Sequence, residues 1–198
     1  MNVVFDLGGV VFTWDPDKLI ADIIDNKEIH HIVRSKIINH HDWNDLDRGI
    51  LPEEEAIQRG SNRTGIPESE LRRLMQAVPP FLIPIDDTVQ LIQDLKNNHN
   101  KLYVLSNMHI ASINHIENKY SFWDLFDGTV VSCRINKIKP DPDIYQYLLD
   151  TYQLNINETV FIDDTAINLK TAADLGITTI KFENPDQCRN ELEEIGCL

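Results

Sequence analysis

Four places in the sequence put polar or charged residues directly after short apolar runs or in a stiff loop. They are Asp6, the pair Ser106 and Asn107, Lys139, and the pair Asp163 and Asp164. Such apolar runs are typical of buried parallel strands. Open α/β sheets bind ligands where the carboxyl ends of these strands meet, so we expect the side chains to share one site. Together they indicate a phosphoryl-transfer or related displacement reaction.

Each residue also has a simpler structural interpretation when it is taken by itself. Asp6 could cap a glycine turn, and Ser106 or Asn107 could cap a helix. Lys139 could be a solvated residue, although prolines on both sides of Asp141 stiffen its loop. The functional interpretation therefore depends on these residues occurring together.

The adjacent carboxylates Asp163 and Asp164 are the strongest indication of a metal ion. Two neighbouring carboxylates at the end of a buried strand repel each other, and a divalent cation makes that arrangement tolerable. Mg²⁺ prefers oxygen ligands and is typically held by one or two carboxylates plus a substrate phosphate. The sequence therefore predicts Mg²⁺ as the cofactor.

The apolar pattern divides the chain into an α/β part and a helical part. After the strand that precedes Asp6, residues 10–14 are expected to stay extended, and residues 17–78 have helical spacing that predicts four short helices, ended by Pro79 and Pro80. From residue 85 onward, helices predicted over 86–98, 109–120, 141–152, 165–175 and 185–195 alternate with strands predicted over 101–105, 128–131, 159–162 and 178–181. This alternation predicts a Rossmann-like, mostly parallel sheet with helices on both faces.

The same division predicts two domains. Residues 1–14 and 84–198 would form the α/β catalytic core, and residues 15–83 an inserted all-α cap of four helices. The insert leaves the core close to Asp6, at the carboxyl edge of the sheet, and is therefore placed to cover the site.

Charge and composition restrict the partners. With 32 acidic and 18 basic residues the net charge is −14, which argues against nucleic acid or an anionic membrane as a main partner. A small phosphorylated metabolite remains compatible, because local amides and a metal can hold it. Three cysteines without metal-type spacing, no basic leader and no run of about 20 apolar residues predict a cytoplasmic protein. We expect a monomer or weak dimer.

The motifs, taken in order, resemble those of the haloacid dehalogenase superfamily. They are DLGGV at 6–10, LSN at 105–107, KPDPDIY at 139–145 and FIDD at 161–164, and the helical insert is similar to that superfamily's α-helical cap. Within it, the chain looks most like small bacterial sugar-phosphate phosphatases of the glucose-1-phosphate kind. It is also similar to the N-terminal phosphatase-like domain of soluble epoxide hydrolases.

The resemblance implies a role for each motif residue. Asp6 would be the nucleophile that becomes an aspartyl phosphate, Ser106 would bind the transferring phosphoryl group, and Lys139 would neutralise its charge. Mg²⁺ would be held by Asp6, the Gly8 carbonyl and Asp164, with help from Asp163. The phosphate would be bound with help from Gly8, Gly9 and Asn107.

Three further residues are candidates for substrate binding. Arg48 lies in the segment Asp47-Arg48-Gly49, which resembles an element of capped relatives, and could read a phosphate or hydroxyls. Trp43 could line the pocket or pack in the cap core. Trp14 could line the pocket or anchor the cap hinge.

Gly8 departs from the pattern, because phosphatases of this family commonly carry an aspartate there that protonates the leaving oxygen. A positioned acid or base contributes roughly a hundred- to ten-thousand-fold in rate, so its absence argues against efficient hydrolysis of esters with poor leaving groups.

The leading hypothesis is a Mg²⁺-dependent phosphatase for a small phosphomonoester, such as an activated sugar phosphate. One alternative is a 2-haloacid dehalogenase, against which Asp163 and Asp164 argue. The other is a catalytically weak protein that binds a phosphometabolite or a partner.

Overall fold

The computed structural model describes every residue from 1 to 198 and contains one five-stranded parallel sheet. Its strands are β1 (Asn2–Phe5), β2 (Lys101–Ser106), β3 (Gly128–Val131), β4 (Thr159–Asp163) and β5 (Thr178–Lys181), in the spatial order β3-β2-β1-β4-β5. In the central strand β1, Phe5 lies opposite Val104 of β2 and Ile162 of β4. The predicted Rossmann-like α/β fold is confirmed, and the ends of β1, β2 and β4 are neighbours.

The alternation of side chains along β1 explains why both faces of the sheet are covered. Val3 and Phe5 belong to one buried cluster, and Val4 belongs to another on the opposite face. Successive residues of a strand point to opposite faces, so the apolar residues 3–5 have to be buried on both. Three further positions on β4 repeat this pattern, with Val160 and Ile162 on the first face and Phe161 on the second.

Helices cover the two faces of this sheet. They are α6 (Asp86–Asn97), α7 (Ile110–Lys119), α8 (Ser132–Ile135), α9 (Pro142–Tyr152), α10 (Ala166–Asp174) and α11 (Pro185–Glu194). Helices α6, α7 and α11 contribute to the first cluster, and α9 and α10 contribute to the second. The sequence pattern located all of these except α8, whose four residues are too few to show a period. No helix in the chain combines the length and the apolar character needed to cross a membrane.

The inserted segment is helical throughout, but it is more divided than predicted. It contains α1 (Pro16–Ile23), a 3₁₀ turn (Lys27–Ile29), α2 (His30–Val33), a π-helical turn (Arg34–Ile38), α3 (His41–Arg48), α4 (Glu53–Thr64) and α5 (Glu68–Phe81). The prediction that Pro79 and Pro80 end the helical pattern is wrong, since α5 continues through both. Their fixed φ angle suits a helix, but they lack the N–H groups that would donate to the carbonyls of Met75 and Gln76, and α5 ends at Phe81, one residue after Pro80.

The insert has its own hydrophobic cluster, separate from the two on the sheet, which includes Leu19 and Ile20 of α1 and Leu71 and Leu74 of α5. Two connecting segments join it to the sheet and lie side by side. The Thr13 N–H donates to the Ile83 carbonyl, and the Ile85 N–H donates to the Val11 carbonyl. The proposed boundaries of the cap, residues 15 and 83, lie in or beside these connections.

Candidate active site

Asp6 extends the central strand by one residue and then leaves it in a tight turn. Its N–H donates to the Ile162 carbonyl at 2.9 Å, and its Oδ1 accepts a 2.7 Å hydrogen bond from the Leu7 N–H. The Leu7 carbonyl then accepts from the N–H groups of Val10, Val11 and Phe12. The expectation that the chain stays extended after the glycines is therefore wrong for Val10 and Val11, because Gly9 with φ +78° turns it back on itself.

Lys139 is the cation beside Asp6. Its side chain is almost fully buried, and the three donors of its ammonium group are all used. Nζ lies 2.9 Å from Asp6 Oδ1 and 2.7 Å from Asp163 Oδ2, and it donates to the Leu105 carbonyl at 2.9 Å. Although burial acts in the opposite direction, the two carboxylates raise the pKa of Lys139, so the ammonium stays charged.

Asp163 is fully buried and holds Lys139 in place. Its two oxygens accept hydrogen bonds from Asn168 Nδ2 at 3.2 and 3.1 Å, and Oδ1 also accepts from the Thr165 N–H at 2.7 Å. Asn168 is fixed in turn, because its backbone carbonyl accepts a hydrogen bond from the buried Tyr145 hydroxyl. The Asp163 carboxylate is therefore mainly a support for the lysine.

The Asn107 side chain is bonded to the protein backbone at both ends of its amide, and its expected help in binding a phosphate stays a prediction. Its Oδ1 accepts from the Lys139 N–H at 2.8 Å, and its Nδ2 donates to the Lys139 carbonyl at 2.9 Å. Both ends of the amide are thus bonded to the backbone of one residue, 32 positions away. Asn107 lines the pocket, but its side chain positions Lys139.

Ser106 carries a polar atom that the protein leaves unsatisfied. The residue is 1% exposed, and its Oγ has no hydrogen-bond partner. A buried hydroxyl without a partner costs roughly 1–3 kcal/mol, so such groups are rare in folded proteins and call for an explanation. A ligand oxygen at the carboxyl edge of the sheet would satisfy it.

Three carboxylates, Asp6, Asp163 and Asp164, gather around this edge with oxygen atoms within 4.8 Å of one another. Burial raises the pKa of Asp6 to about 7, with Lys139 opposing the rise and Asp163 adding to it. The protein packed around its carboxyl group raises the pKa of Asp164 as well, and Asp163 adds to that effect. The excess of negative charge and the all-oxygen donor set fit a hard divalent cation such as Mg²⁺.

The two glycines of the turn differ in what their positions require. A Cβ on Gly9 would lie 2.6 Å from Asp164 Oδ2, so that carboxylate would have to move, and the positive φ angle would strain any side chain there. A Cβ on Gly8 would meet only Trp14 at 3.8 Å, an ordinary contact. Gly9 is therefore needed to let Asp164 approach, whereas the backbone at Gly8 tolerates a side chain.

One cavity of about 200 Å³ lies between the sheet edge and the insert, and Ser106, Gly9 and Asp163 are beside it and do not form its walls. Its walls include Asp6, Gly8, Asn107, Lys139 and Asp164 from the core and Trp43, Asp47 and Val78 from the insert. Trp14 also lines it and packs against Trp43, with ring centroids 6.2 Å apart. Both tryptophans line the cavity and also pack against the hydrophobic cluster of the insert, and their contact with a substrate stays a prediction.

Arg48 is a predicted substrate contact that does not line the cavity. Its guanidinium forms a 2.9 Å ion pair with Asp141 in the loop after Lys139. Its carbonyl accepts a hydrogen bond from Asn136 Nδ2. Arg48 therefore joins the insert to the core instead of facing a ligand.

Sequence reasoning missed His109 and Ser112, and it left Asp47 without a role of its own. The His109 ring is buried, with Nδ1 3.3 Å from Asp47 Oδ1 and Nε2 3.0 Å from Ser112 Oγ. Its ring is nearly perpendicular to that of Trp43, with an interplanar angle of 85° and centroids 5.9 Å apart. The one available signal was the position of His109, three residues after Ser106 at the start of a helix.

Comparison with known proteins agrees with this geometry. The family model described as haloacid dehalogenase-like hydrolase matches residues 45–182. A sesquiterpene phosphatase from Aspergillus oryzae is 26% identical over 195 residues, which cover 98% of this chain and 96% of that protein. A D-ribitol-5-phosphate phosphatase from Bacteroides thetaiotaomicron is 26% identical over 204 residues, covering 98% and 97%.

Similarity to an epoxide hydrolase and to a solved structure was also found. Mouse bifunctional epoxide hydrolase 2 is 46% identical over 70 residues, which are 35% of this chain and 13% of that much longer protein. A haloacid dehalogenase family enzyme from Bacteroides thetaiotaomicron, solved with magnesium and inorganic phosphate, superposes with a TM-score of 0.75. It is 25% identical, and the superposition covers 91% of this chain and 92% of that one. The motif resemblance is confirmed, and the chain belongs to the haloacid dehalogenase-like hydrolases.

Proposed function

We propose that the protein is a Mg²⁺-dependent phosphatase that hydrolyses a small phosphomonoester through an aspartyl phosphate on Asp6. The observation that carries this proposal is that one oxygen of the Asp6 carboxylate, Oδ2, is free to react. Both of its protein contacts use Oδ1, which leaves Oδ2 without a hydrogen-bond donor from the protein. An oriented oxygen beside a buried ammonium group is suited to attack phosphorus.

The surrounding residues supply the other requirements of the reaction. In the first step Asp6 Oδ2 bonds to phosphorus while the ester P–O bond breaks and its electron pair leaves with the alcohol oxygen. Lys139 offsets charge on Asp6 and on the phosphoryl oxygens, and the unpartnered Ser106 hydroxyl donates to one of those oxygens. In the second step water attacks the same phosphorus and releases Asp6 and inorganic phosphate.

Asp6, Asp164 and the Gly8 carbonyl would hold the cation, with Asp163 near enough to assist. A bound Mg²⁺ would supply charge neutralisation for the carboxylates and the phosphate. The Mg²⁺ and phosphate bound by the Bacteroides enzyme support this assignment.

The cavity suggests the size and charge of the substrate. About 200 Å³ is less than the roughly 300–1,000 Å³ of sites for drug-sized ligands, which favours a small molecule. The cavity offers one ammonium group, Lys139, and it also contains the acidic Asp47, so a second anionic group on the substrate would be poorly received. Trp14 and Trp43 could cover the face of a sugar or polyol. The similarity to a D-ribitol-5-phosphate phosphatase supports a substrate of this class.

Asp164 alone now argues against the dehalogenase alternative. Asp163 holds Lys139, a role that a dehalogenase could also use, so its carboxylate no longer argues against that reaction. Asp164 has no such role and would only repel a 2-haloacid. The weak-binding alternative has less support, because nucleophile, lysine and cation-binding oxygens are brought together in one cavity.

Phosphate release from p-nitrophenyl phosphate and a panel of sugar and polyol phosphates tests the proposal. We expect turnover with Mg²⁺, none with EDTA, and none in the Asp6→Asn variant. Asp174→Asn, a change in an exposed carboxylate on α10, is the matched control and should leave turnover unchanged. Halide release from 2-haloacids without any phosphate release would overturn the proposal in favour of a dehalogenase.

A further inference from the structure

The His109 ring connects core and insert within the wall of the cavity. His109 immediately precedes α7 of the core, and Asp47 belongs to α3 of the insert. The Asp47 backbone is itself anchored to the core, since its carbonyl accepts a hydrogen bond from the Ser132 hydroxyl. The ion-pair geometry between Asp47 and His109 therefore exists only while the insert is seated on the core.

The two partners of the ring suit both of its protonation states. The Asp47 carboxylate can only accept, so it places a proton on Nδ1. Nε2 then accepts from the Ser112 hydroxyl when the ring is neutral and donates to it when the ring is charged, because a hydroxyl does either. The ring can gain or lose the Nε2 proton without leaving a buried group unsatisfied.

The other titratable groups that line the cavity are already committed. Lys139 uses all three of its donors within the protein. Asp6 is the proposed nucleophile, Asp164 belongs to the proposed cation site, and Gly8 has no side chain to contribute. His109, supported by Asp47, is the remaining group in the wall that can hold a transferable proton at a ring nitrogen.

We propose, resting on the phosphatase function above, that His109 is the catalytic acid and base and that Asp47 is its positioning residue. As the ester P–O bond breaks, the Nε2 proton passes to the leaving oxygen, which has displaced the Ser112 hydroxyl from Nε2. The neutral Nε2 then takes a proton from the attacking water as its oxygen bonds to phosphorus, and the imidazolium is restored. An alcohol that leaves poorly as an alkoxide would need this proton most.

Leaving-group dependence separates this role from a purely structural one. His109→Gln keeps a hydrogen-bonding side chain but cannot carry the proton. We expect kcat/KM for an alkyl phosphate to fall by about 100-fold or more, and kcat/KM for p-nitrophenyl phosphate to fall less than about tenfold. Asp47→Asn should also lower kcat/KM for the alkyl phosphate more than kcat/KM for p-nitrophenyl phosphate. His115→Gln, a change in a half-buried histidine of α7 that lies outside the cavity, should alter neither value of kcat/KM.

If His109→Gln lowers kcat/KM equally for both esters, the inference is overturned, and the histidine only holds the core and the insert together. If that variant does not fold, Asp47→Asn gives the same comparison, and an unchanged ratio there would overturn it as well. Wild-type turnover of p-nitrophenyl phosphate, which needs little leaving-group protonation, tests the phosphatase proposal separately. Its presence together with an unchanged ratio would reject only the role of His109.

Discussion

The Asn107 side chain forms two hydrogen bonds with the backbone of Lys139. Its Oδ1 lies 2.8 Å from the lysine backbone nitrogen, and its Nδ2 lies 2.9 Å from the lysine backbone carbonyl oxygen. The side chain of Lys139 is fixed independently by Asp163. The lysine is therefore held at both ends, and its ammonium group is set beside Asp6 by the loop that follows β2 and by the end of β4.

This relationship predicts that Asn107 acts through Lys139. Asn107→Asp has nearly the same shape, but it loses the donor and places a carboxylate oxygen against the Lys139 carbonyl. We expect kcat to fall by about 10- to 100-fold, as for a misplaced catalytic group, with a smaller effect on KM. Steady-state kinetics of the variant and of the exposed control Asn118→Asp would show this. A large rise in KM with unchanged kcat would instead indicate direct substrate binding by Asn107.

Ser106→Ala should separate stability from activity. The substitution removes a buried hydroxyl that has no partner in the protein, so the free energy of unfolding should be unchanged or rise by up to about 1 kcal/mol. The same change should lower kcat/KM by about 10- to 100-fold and weaken the rise in melting temperature caused by inorganic phosphate. Thermal unfolding with and without phosphate measures both effects. A destabilised variant with full activity would show that the hydroxyl serves the fold.

The pKa of Asp6 predicts a pH-dependent response to Mg²⁺. In the folded, metal-free protein this pKa is raised to about 7, above its usual value, so the contribution of Asp6 to stability is present at low pH and is lost as the pH rises through about 7. A cation favours the ionised carboxylate. We therefore expect Mg²⁺ to raise the melting temperature more at pH 8 than at pH 5.5.

The Asp6→Asn variant is the control for that experiment, because its amide is neutral across the range. It should show a smaller difference in the Mg²⁺ response between the two pH values. An equal response of the wild-type protein at pH 5.5 and pH 8 would contradict the placement of Asp6 in the cation site.

Gly8 and Gly9 form a matched pair for testing the turn. Gly9→Ala should cost about 1–2 kcal/mol in unfolding free energy, because its positive φ angle disfavours a side chain. It should also weaken Mg²⁺ binding, since its Cβ would displace Asp164. Gly8→Ala should be tolerated on both counts. Chemical denaturation and Mg²⁺ titration of the two variants check this, and similar effects at both positions would contradict the geometry.

The parts of the site that could be predicted from the sequence are those set by local pattern. Asp6, Ser106 and Asp163 each end an apolar strand, and the parallel sheet then brings them together. The contacts that were missed join distant segments: Asn107 meets Lys139 across 32 positions, and Asp47 meets His109 across 62. No periodicity records such pairings, because they depend on how loops and insert pack.

The turn after Asp6 shows that local propensity also limits what the sequence can predict. Consecutive valines favour an extended chain, in line with the expectation that residues 10–14 stay extended. The Leu7 carbonyl instead gathers three N–H groups, and both valines are buried in the sheet's first hydrophobic cluster. Tertiary packing outweighs a propensity that is worth at most about 1 kcal/mol.

Trapping the phosphorylated enzyme tests the role of Asp6 most directly. The protein is mixed with substrate and Mg²⁺, quenched with acid, treated with borohydride, which reduces an acyl phosphate to an alcohol, and digested for mass spectrometry. We expect homoserine in place of aspartate at residue 6 only in samples that received substrate, with Asp163 and Asp164 unmodified. Phosphate release that proceeds while residue 6 is never modified would contradict the assignment of Asp6 as the nucleophile.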